Sequence, residues 1–256
     1  MTLAEIKTKY SIFLSSIKAV DNHLVGREEE LNLLSESLLK KRYRNTILVG
    51  EAGCGKTALI EEFAYKMRTK ITVLEMSMAA SLVDTQYRGQ FEGKIVKCLK
   101  DICAFNSIET NKPIVLFIDE IHTIMKAGDT EGAISFANII KPFLSKMQIT
   151  IIGATTKVEY EKTIKKDVAI KRRLSPIFVK TLDEDVVINI LNEFSEGKVE
   201  KGVLKYIYNQ SFSIPDSNNP DISIEILDRC LARIQRLKKD KITLDMVDYI
   251  CQNLRG

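Results

Sequence analysis

Short runs of apolar residues alternate with longer segments of helical periodicity over the first two thirds of the chain. The apolar runs lie at 46–49, 71–74, 113–118, 149–153 and 177–179. Each has the length of a strand, and the uninterrupted run at 113–118 is typical of a central strand covered on both faces of a parallel sheet. Between these runs, apolar residues recur at spacings of three and four, which is the period of an amphipathic helix. The pattern predicts an α/β domain with five strands in one sheet.

Both ends of the chain have helical patterns only. The segment from Leu3 to Val20 carries apolar residues at spacings of three and four and predicts one amphipathic helix. After about residue 181, successive segments have an apolar stripe of helical period, which predicts a second, all-helical domain. The expected organisation is an N-terminal amphipathic helix at 1–24, an α/β domain at 25–181 and a smaller helical domain at 182–256.

A glycine-rich stretch between the first predicted strand and the next helix carries the most specific chemistry. It reads GEAGCGKT and runs from Gly50 to Thr57. Glycines let backbone N–H groups close around phosphate oxygens, and the helix N-terminus adds its positive dipole end. In this pattern the lysine reaches the outer phosphates and the threonine binds Mg²⁺. The loop therefore predicts a site for ATP or GTP. Its predicted binding residues are Gly50, Gly53, Cys54, Gly55, Lys56 and Thr57.

Two adjacent acids, Asp119 and Glu120, follow the central strand. Ligands of α/β sheets bind at the carboxyl ends of the strands, so these acids are expected next to the phosphate loop. Asp119 would hold Mg²⁺, and Glu120 would orient or deprotonate the attacking water. A plain strand-to-helix boundary is the alternative, since acids are favoured at helix N-termini. His122 is interpreted as a packing residue or a neighbour of the site rather than a ligand.

Hydroxyls and arginines provide two further groups of candidates. The fourth strand ends at Thr155 and Thr156, whose hydroxyls could reach the terminal phosphate or the water. A hydrogen-bonded cap explains them equally well. The pair Arg172 and Arg173 ends a basic stretch that begins at Lys165. Such a stretch is usually a solvated face, but paired guanidinium groups could also reach a phosphate in a neighbouring subunit.

Composition and charge argue against several other classes of protein. The net charge of +4 over 72 charged side chains does not favour nucleic acid or an anionic membrane as the main partner, although it excludes neither. No apolar run is long enough to span a membrane, and the N-terminus lacks a secretory pattern. Five cysteines without a Cys-x-x-Cys pair indicate reduced thiols and a cytoplasmic protein. Cys54 either makes the loop sensitive to oxidation or occupies a permissive position.

Taken together, these motifs resemble those of an AAA+ ATPase, specifically the first ATPase module of the Clp-type unfoldases and disaggregases. The resemblance rests on six segments in order and covers about Val25 to Arg173, with a looser likeness in the helical tail. The segments are 25–27 (VGR), the phosphate loop, 86–92 (QYRGQFE), 116–122 (LFIDEIH), 153–156 (GATT) and 172–173 (RR).

The resemblance implies a fold, an assembly and a role for each motif. It implies a five-stranded parallel sheet with a helical lid, and a hexameric ring of identical subunits that binds Mg²⁺ and ATP between neighbours. Lys56 and Thr57 match the Walker A residues, and Asp119 and Glu120 match Walker B. The remaining matches are Thr156 with sensor 1, Arg172 and Arg173 with the arginine fingers, Val25 and Gly26 with the segment that contacts adenine, and Tyr87 with the pore-loop aromatic that grips a polypeptide. Considered without the resemblance, Tyr87 is an ordinary surface aromatic.

The chain also departs from the family pattern. Family members usually carry an N-terminal substrate-collecting domain and a second ATPase module, and 256 residues leave no room for either. In the lid, Ile222 stands where the family has a basic residue, and Arg229 lies about two turns later. Sensing of the nucleotide by the lid is therefore open to question, and no loop of the type that docks a peptidase is recognisable.

Three functions fit these observations. The first is a ring-forming ATPase that remodels, unfolds or threads a protein substrate, alone or with an adaptor. The second is a loader or transposition helper associated with nucleic acid, which the short length and the basic stretches at 165–173 and 233–241 favour but the loop around Tyr87 does not. The third is an ATP-gated oligomeric scaffold that recruits a partner, which the residue at Ile222 favours.

Overall fold

Five parallel strands and one antiparallel edge strand form a single mixed sheet. A computed structural model of the chain describes residues 1–20, 24–41, 44–77, 88–126, 136–146 and 149–255. The strands in these ranges are β1 (Leu14–Ser16), β2 (Thr46–Val49), β3 (Thr72–Met76), β4 (Ile114–Ile118), β5 (Thr150–Thr155) and β6 (Ser175–Phe178). Their order across the sheet is β1-β3-β4-β5-β2-β6.

The sheet has six strands where the sequence predicts five, and β1 is the additional one. The strands β2 to β6 correspond to the five predicted apolar runs and pair in parallel. β1 instead pairs antiparallel with β3, with Leu14 opposite Met76 and Ser16 opposite Leu74. Every residue of β4 is buried, as expected for a central strand covered on both faces.

The prediction of one helix from Leu3 to Val20 is wrong. Helix α1 (Leu3–Lys9) spans only seven residues, and β1 follows it after one turn. The apolar residues at positions 6, 10, 13 and 14 are all buried in one core with the sheet. A short helix followed by a strand buries the same positions as one long helix would. The ladder that Leu14–Ser16 forms with a distant strand decides between the two arrangements.

Side-chain hydrogen bonds fix α1 against α4 (Arg88–Asn106). The Tyr10 hydroxyl donates to Asp101 Oδ2 over 2.5 Å, and Lys9 Nζ lies 2.7 Å from the same oxygen. Tyr10 is almost fully buried. We call Lys9, Tyr10 and Asp101 the N-terminal corner.

Helices cover the sheet in the α/β unit, which comprises residues 1–49 and 57–178. Besides α1 and α4, its described helices are α2 (Glu28–Leu39), α3 (Lys56–Lys66), α5 (Ile121–Lys126), α6 (Phe136–Lys146), α7 (Lys157–Glu159) and α8 (Val168–Lys171). The buried faces of α1, α4 and α6 share one apolar core with the sheet. A π-helical turn at Tyr160–Ile164 continues α7.

The helical unit comprises residues 50–56 and 179–256 and has its own core. Its helices are α9 (Glu184–Ser195), α10 (Val203–Ser211), α11 (Asp221–Leu237) and α12 (Leu244–Arg255). Each presents an apolar stripe to the others, with Val187, Ile207 and Ile226 fully buried. Among the described helices of the chain, none is both long and apolar enough to cross a membrane.

Candidate nucleotide site

The carboxyl ends of three neighbouring strands meet at one edge of the sheet. β5 lies between β4 and β2, all three run in parallel, and Val49 pairs with Thr155 at their ends. The residues that follow these strands are Gly50 after β2, Asp119 after β4 and Thr156 after β5. Three of the motifs found in the sequence therefore follow strands whose carboxyl ends lie at one edge, and α/β sheets bind ligands at such edges.

A buried asparagine fixes the opposite end of β2. The Asn45 side chain accepts a hydrogen bond from the Ile151 N–H over 2.9 Å, and the backbone carbonyl of Asn45 accepts one from the Ser175 N–H over 3.0 Å. Asn45 therefore holds the start of β2 between β5 and β6. The sequence does not reveal this role, because a single asparagine before a strand resembles an ordinary turn residue.

The phosphate loop has the backbone and charge that a phosphate group requires. Gly53 and Gly55 have φ angles of +74° and +91°, which residues with a side chain rarely adopt. No described atom lies within 4 Å of the place where a Cβ of Gly55 would be, so the backbone is open there. Lys56 Nζ donates to the carbonyls of Gly50 and Glu51 over 2.9 and 2.8 Å, which fixes its charge inside the loop. Thr57 is exposed in the first turn of α3.

Cys54 packs inside the loop. Its side chain is fully buried, and a Cβ at Gly50 would lie only 2.7 Å from its sulfur. Of the two interpretations of Cys54, its burial favours a packing role over a thiol exposed to oxidants.

The first residue of α11 contacts the phosphate loop within the helical unit. The Asp221 N–H points to the Gly53 carbonyl at 3.4 Å, and a Cβ on Gly53 would come within 2.8 Å of the Asp221 Cβ. Ile222 is buried in the helical core, and Arg229 pairs with Glu225 on an exposed face. The chain thus uses the Ile222 position for packing, and it binds the loop through the preceding residue.

The acidic pair sits at the end of β4 in an unusual backbone conformation. Glu120 has a φ of +47°, which is uncommon for a residue with a side chain. Asp119 Oδ1 accepts the Glu120 N–H over 2.8 Å, and the Glu120 carbonyl accepts two bonds from Thr123. The Glu120 side chain is 53% exposed. The backbone is held by its neighbours, whereas the carboxylate faces solvent.

His122 lies between the acidic pair and the end of β5. Its Nε2 is 3.2 Å from Glu120 Oε2, and its Nδ1 is 2.9 Å from Thr155 Oγ1. Both His122 and Thr155 are buried. Thr156 caps α7, with its hydroxyl accepting the Glu159 N–H over 3.2 Å. The two threonines therefore differ, since one contacts the histidine and the other forms the cap that the sequence allowed.

Negative charge accumulates at this edge. Burial raises the pKa of the Glu75 carboxyl on β3, and the nearby charges of Asp119 and Glu61 raise it further. Among the residues described, no cluster of three or more His, Cys, Asp or Glu side chains forms a complete metal site. A cation here would therefore need additional oxygen ligands, such as phosphate and water, as Mg²⁺ commonly has.

The sequence of the α/β unit matches a family model described as the ATPase family associated with various cellular activities (AAA). The match covers residues 46–181, which is more than half of the 256 residues and includes β2 to β6. This chain belongs to the AAA family of ATPases. The AAA+ fold implied by the resemblance is thereby confirmed.

Curated and solved relatives share the AAA fold over nearly the whole chain. The chaperone protein ClpB of Wolinella succinogenes is 32% identical over 98% of this chain and 31% of its own length. A closed-state structure of Hsp104 with ATPγS and FITC casein superposes with a TM-score of 0.79 at 28% identity, covering 97% of this chain and 45% of that one. The S. cerevisiae Hsp104–ADP complex gives 0.79 at 27%, covering 96% and 45%. This chain spans about a third of the length of that ClpB.

The two arginines of the AAA domain have different surroundings. Both follow α8, whose start is capped by the Asp167 side chain. Arg173 Nη1 donates to the Ala169 carbonyl over 2.6 Å and is partly buried. Arg172 is exposed. In the sequence the two arginines are simply adjacent, so this difference in their surroundings appears only in the structure.

Two predicted motifs remain, the segment at Val25 and Gly26 and the pore-loop residue Tyr87. Val25 and Gly26 directly precede α2, and Gly26 has a φ of +73°. The next residue, Arg27, is buried and its guanidinium lies 2.9 Å from Glu30 Oε1. Tyr87, the predicted pore-loop residue, lies outside the described residues.

Proposed function

We propose that this chain binds Mg²⁺ and ATP at the carboxyl edge of β2, β4 and β5 and hydrolyses the terminal phosphate. The observation that carries the proposal is the adjacency of these three strand ends, from which the phosphate loop, the acidic pair and the Thr156 cap extend. The AAA family match supports it, since the family is one of ATPases. Positioning and electrostatics supply most of the catalysis in phosphoryl transfer, and these residues serve both purposes.

In this proposal the phosphate loop binds the nucleotide through charge and backbone N–H groups. Lys56 would exchange its bonds to the loop carbonyls for the outer phosphates, while Thr57 and Asp119 would hold the metal. Mg²⁺, when bound, neutralises charge on the phosphate oxygens. Val25 and Gly26 would contact the adenine ring. Gly50, Gly53, Cys54 and Gly55 shape the loop.

The water that attacks the terminal phosphate would be oriented by Glu120. Its exposed carboxylate can accept the proton of that water, which is the role of a general base. The Thr156 hydroxyl would contact the same phosphate or water after leaving its cap. Arg172 and Arg173 of another copy would stabilise the charge that spreads over the transferring group, and the exposure of Arg172 supports this role.

We further propose that identical copies assemble into a ring, a hexamer by family resemblance, and remodel protein substrates. The similarity to ClpB and Hsp104, whose solved complexes include one with casein, supports this activity. Tyr87 would then grip the polypeptide. A Tyr87→Ala variant should keep its ATPase rate and lose remodelling of an unfolded protein such as casein, and intact remodelling would rule out the grip.

A mixing experiment tests whether active sites are shared between copies. Lys56→Ala weakens a copy's own nucleotide binding but leaves its arginines, whereas Arg172→Ala removes an arginine but leaves the nucleotide binding. Each variant alone should have little ATPase activity, and a mixture should regain part of it, because arginines of the first complete the sites of the second. Activity that stays at the sum of the two variants would contradict shared sites. A wild-type chain without ATPase activity at any concentration would contradict hydrolysis itself.

One basic side chain in each of the two basic stretches is engaged by a neighbour within the chain, which weakens the support for a nucleic-acid role. Lys165 pairs with Glu161 at 2.7 Å, and the Arg233 guanidinium stacks 3.6 Å from the ring centre of Tyr249. Charges engaged in this way contribute less to phosphate binding than a free basic face.

A further inference from the structure

A hydrogen bond and a 3.2 Å polar contact link three side chains at the carboxyl edge and end on Glu120. Thr155 Oγ1 is 2.9 Å from His122 Nδ1, and His122 Nε2 is 3.2 Å from Glu120 Oε2. The exposure falls along this chain, from a Glu120 side chain that is 53% exposed to a Thr155 that is fully buried. The outer member is thus anchored by two buried ones.

The chemistry of the carboxylate end fixes the tautomer of the neutral imidazole. The Glu120 carboxylate can only accept, so the imidazole must carry its proton on Nε2 to bond with it. Nδ1 is then an acceptor, and the Thr155 hydroxyl can donate to it. The direction of the chain is from the Thr155 hydroxyl to Nδ1, and from Nε2–H to the carboxylate. If the Thr155 hydroxyl is lost, the carboxylate still favours the Nε2–H form, but the ring loses the hydrogen bond that anchors its other side.

We propose that Thr155 and His122 are positioning residues that hold the Glu120 carboxylate for catalysis. His122 occupies one carboxylate oxygen, so the other oxygen is presented to the attacking water. The Nδ1–H tautomer would place a lone pair against the carboxylate and release it. This inference rests on the proposed ATP hydrolysis, and it gives Thr155 and His122 a role through Glu120 that the sequence alone does not indicate.

The location of Thr155 connects these contacts to the strand that leads into the phosphate loop. Thr155 ends β5, pairs with Val49 at the start of the phosphate loop, and precedes Thr156. A shift of the β5 end would therefore move the hydroxyl that anchors the imidazole. Holding a carboxylate within hydrogen-bond reach of the water affects turnover rather than nucleotide binding.

The kinetic test uses Thr155→Val, which keeps the shape of the side chain and removes only the hydroxyl. We expect kcat for ATP to fall on the order of tenfold, with KM changed less than about twofold. Thr155→Ser, which restores a hydroxyl, should recover most of the rate. Thr150→Val makes the same substitution at the other end of β5 and serves as the matched control. A Thr155→Val kcat within about twofold of wild type would overturn the inference.

A double-mutant cycle shows whether Thr155 acts through His122. His122→Phe should lower kcat at least as much as Thr155→Val does, and Thr155→Val should add no further loss in that background. Additive losses would mean that Thr155 does not act through His122 and would overturn the inference. Thermal melts of all variants establish that the compared proteins are folded at the assay temperature.

A tautomer measurement decides the inference without any ATP turnover. The chain has two histidines, so the side-chain ¹⁵N signals of His122 can be assigned with a His23→Gln variant. We expect the Nε2–H form in both the wild type and Thr155→Val, with the Nδ1 signal of the variant moved away from that of a hydrogen-bonded acceptor. A wild-type His122 in the Nδ1–H form would overturn the inference even if the enzyme is active. Absence of wild-type turnover with the expected tautomer would instead overturn the proposed function.

Discussion

Two polar clusters of the α/β unit use similar groups for opposite purposes. In the N-terminal corner, Asp101 accepts bonds from both Lys9 and Tyr10, and its side chain is 24% exposed. At the carboxyl edge, the Glu120 side chain is 53% exposed, and His122 contacts one of its oxygens. In the N-terminal corner, Lys9 and Tyr10 satisfy the Asp101 carboxylate. At the carboxyl edge, the exposed Glu120 carboxylate leaves negative charge that a ligand can bind.

The protonation behaviour of the two clusters follows the same division. Burial raises the pKa of Asp101, but the hydrogen bonds from Lys9 and Tyr10 outweigh it and bring the pKa below its usual value. At the edge, burial and the charge of Asp119 raise the pKa of Glu75. Negative charge is therefore neutralised by the chain at the corner and left uncompensated at the edge. A cluster that stabilises the fold and a site that awaits a ligand can be distinguished in this way.

The largest expected effect concerns Arg172 and Arg173, which differ in the same way as the two clusters. Arg172 is exposed and available to another copy, whereas the Arg173 guanidinium bonds to the Ala169 carbonyl. Loss of an arginine finger costs roughly 10³ to 10⁵ in kcat. We expect a loss of that order for Arg172→Ala and a smaller one, with a lower melting temperature, for Arg173→Ala. ATPase assays and melts check this, and the reverse ranking would contradict it.

The next effect concerns nucleotide affinity. Hydrogen bonds to charged groups contribute about 1.5–3 kcal/mol, so Lys56→Ala should weaken ATP binding by roughly 10- to 150-fold. Isothermal titration or a fluorescent nucleotide measures this directly. Lys66→Ala is the control, because Lys66 lies on the same helix and pairs with Glu62 at 3.2 Å. Equal affinities of the two variants would speak against binding by Lys56.

Stability, not turnover, should respond to a change in the N-terminal corner. Tyr10→Phe removes a buried hydrogen bond and should lower the free energy of unfolding by about 1–2 kcal/mol, with kcat unchanged where the protein is folded. Burial first, and then Asp101, raise the pKa of Tyr10 from 10.0 to about 12. Because the folded pKa is the higher one, the stabilisation is complete below pH 10 and is lost as pH rises towards about 12. Denaturant unfolding of both proteins from neutral to alkaline pH checks this, and a constant difference would contradict it.

The smallest effect is expected at Glu75. Its raised pKa means that the folded state binds the proton more tightly, so stability falls as pH rises above 4.5, the usual value, and levels off above the folded pKa. Glu75→Gln should therefore raise the melting temperature at neutral pH, by no more than roughly 2–4 °C, and the gain should vanish in acid. Glu109→Gln, on an exposed residue, provides the control. A destabilised Glu75→Gln would mean that the charge is compensated.

The sequence predicts the parallel core of the sheet well and its N-terminal edge poorly. Strands β2 to β6 are buried between helices, so their apolar runs are continuous and distinct from a helical period. In β1, three residues carry too little pattern, and their pairing with β3 depends on residues about 60 positions away. Short apolar stretches fit either period, so the longer helix was predicted in error.

Within the candidate site, motif spacing identifies residues but not their contacts. The phosphate loop and the acidic pair are recognisable because their chemistry requires fixed residue types at fixed spacing. The contact between Thr155 and His122, which leads on to Glu120, joins residues 33 positions apart and has no such signature. The approach of Asp221 to Gly53 likewise depends on how the chain folds back on itself.

The most direct test of ATP hydrolysis at this edge compares Glu120→Gln with the wild type in two assays on the same protein. Glutamine keeps the size of the side chain but cannot accept the proton of the water. We expect nucleotide affinity within about threefold of wild type and a kcat reduced by roughly 10²–10⁴. A Glu120→Gln variant that turns over ATP at the wild-type rate would contradict the account.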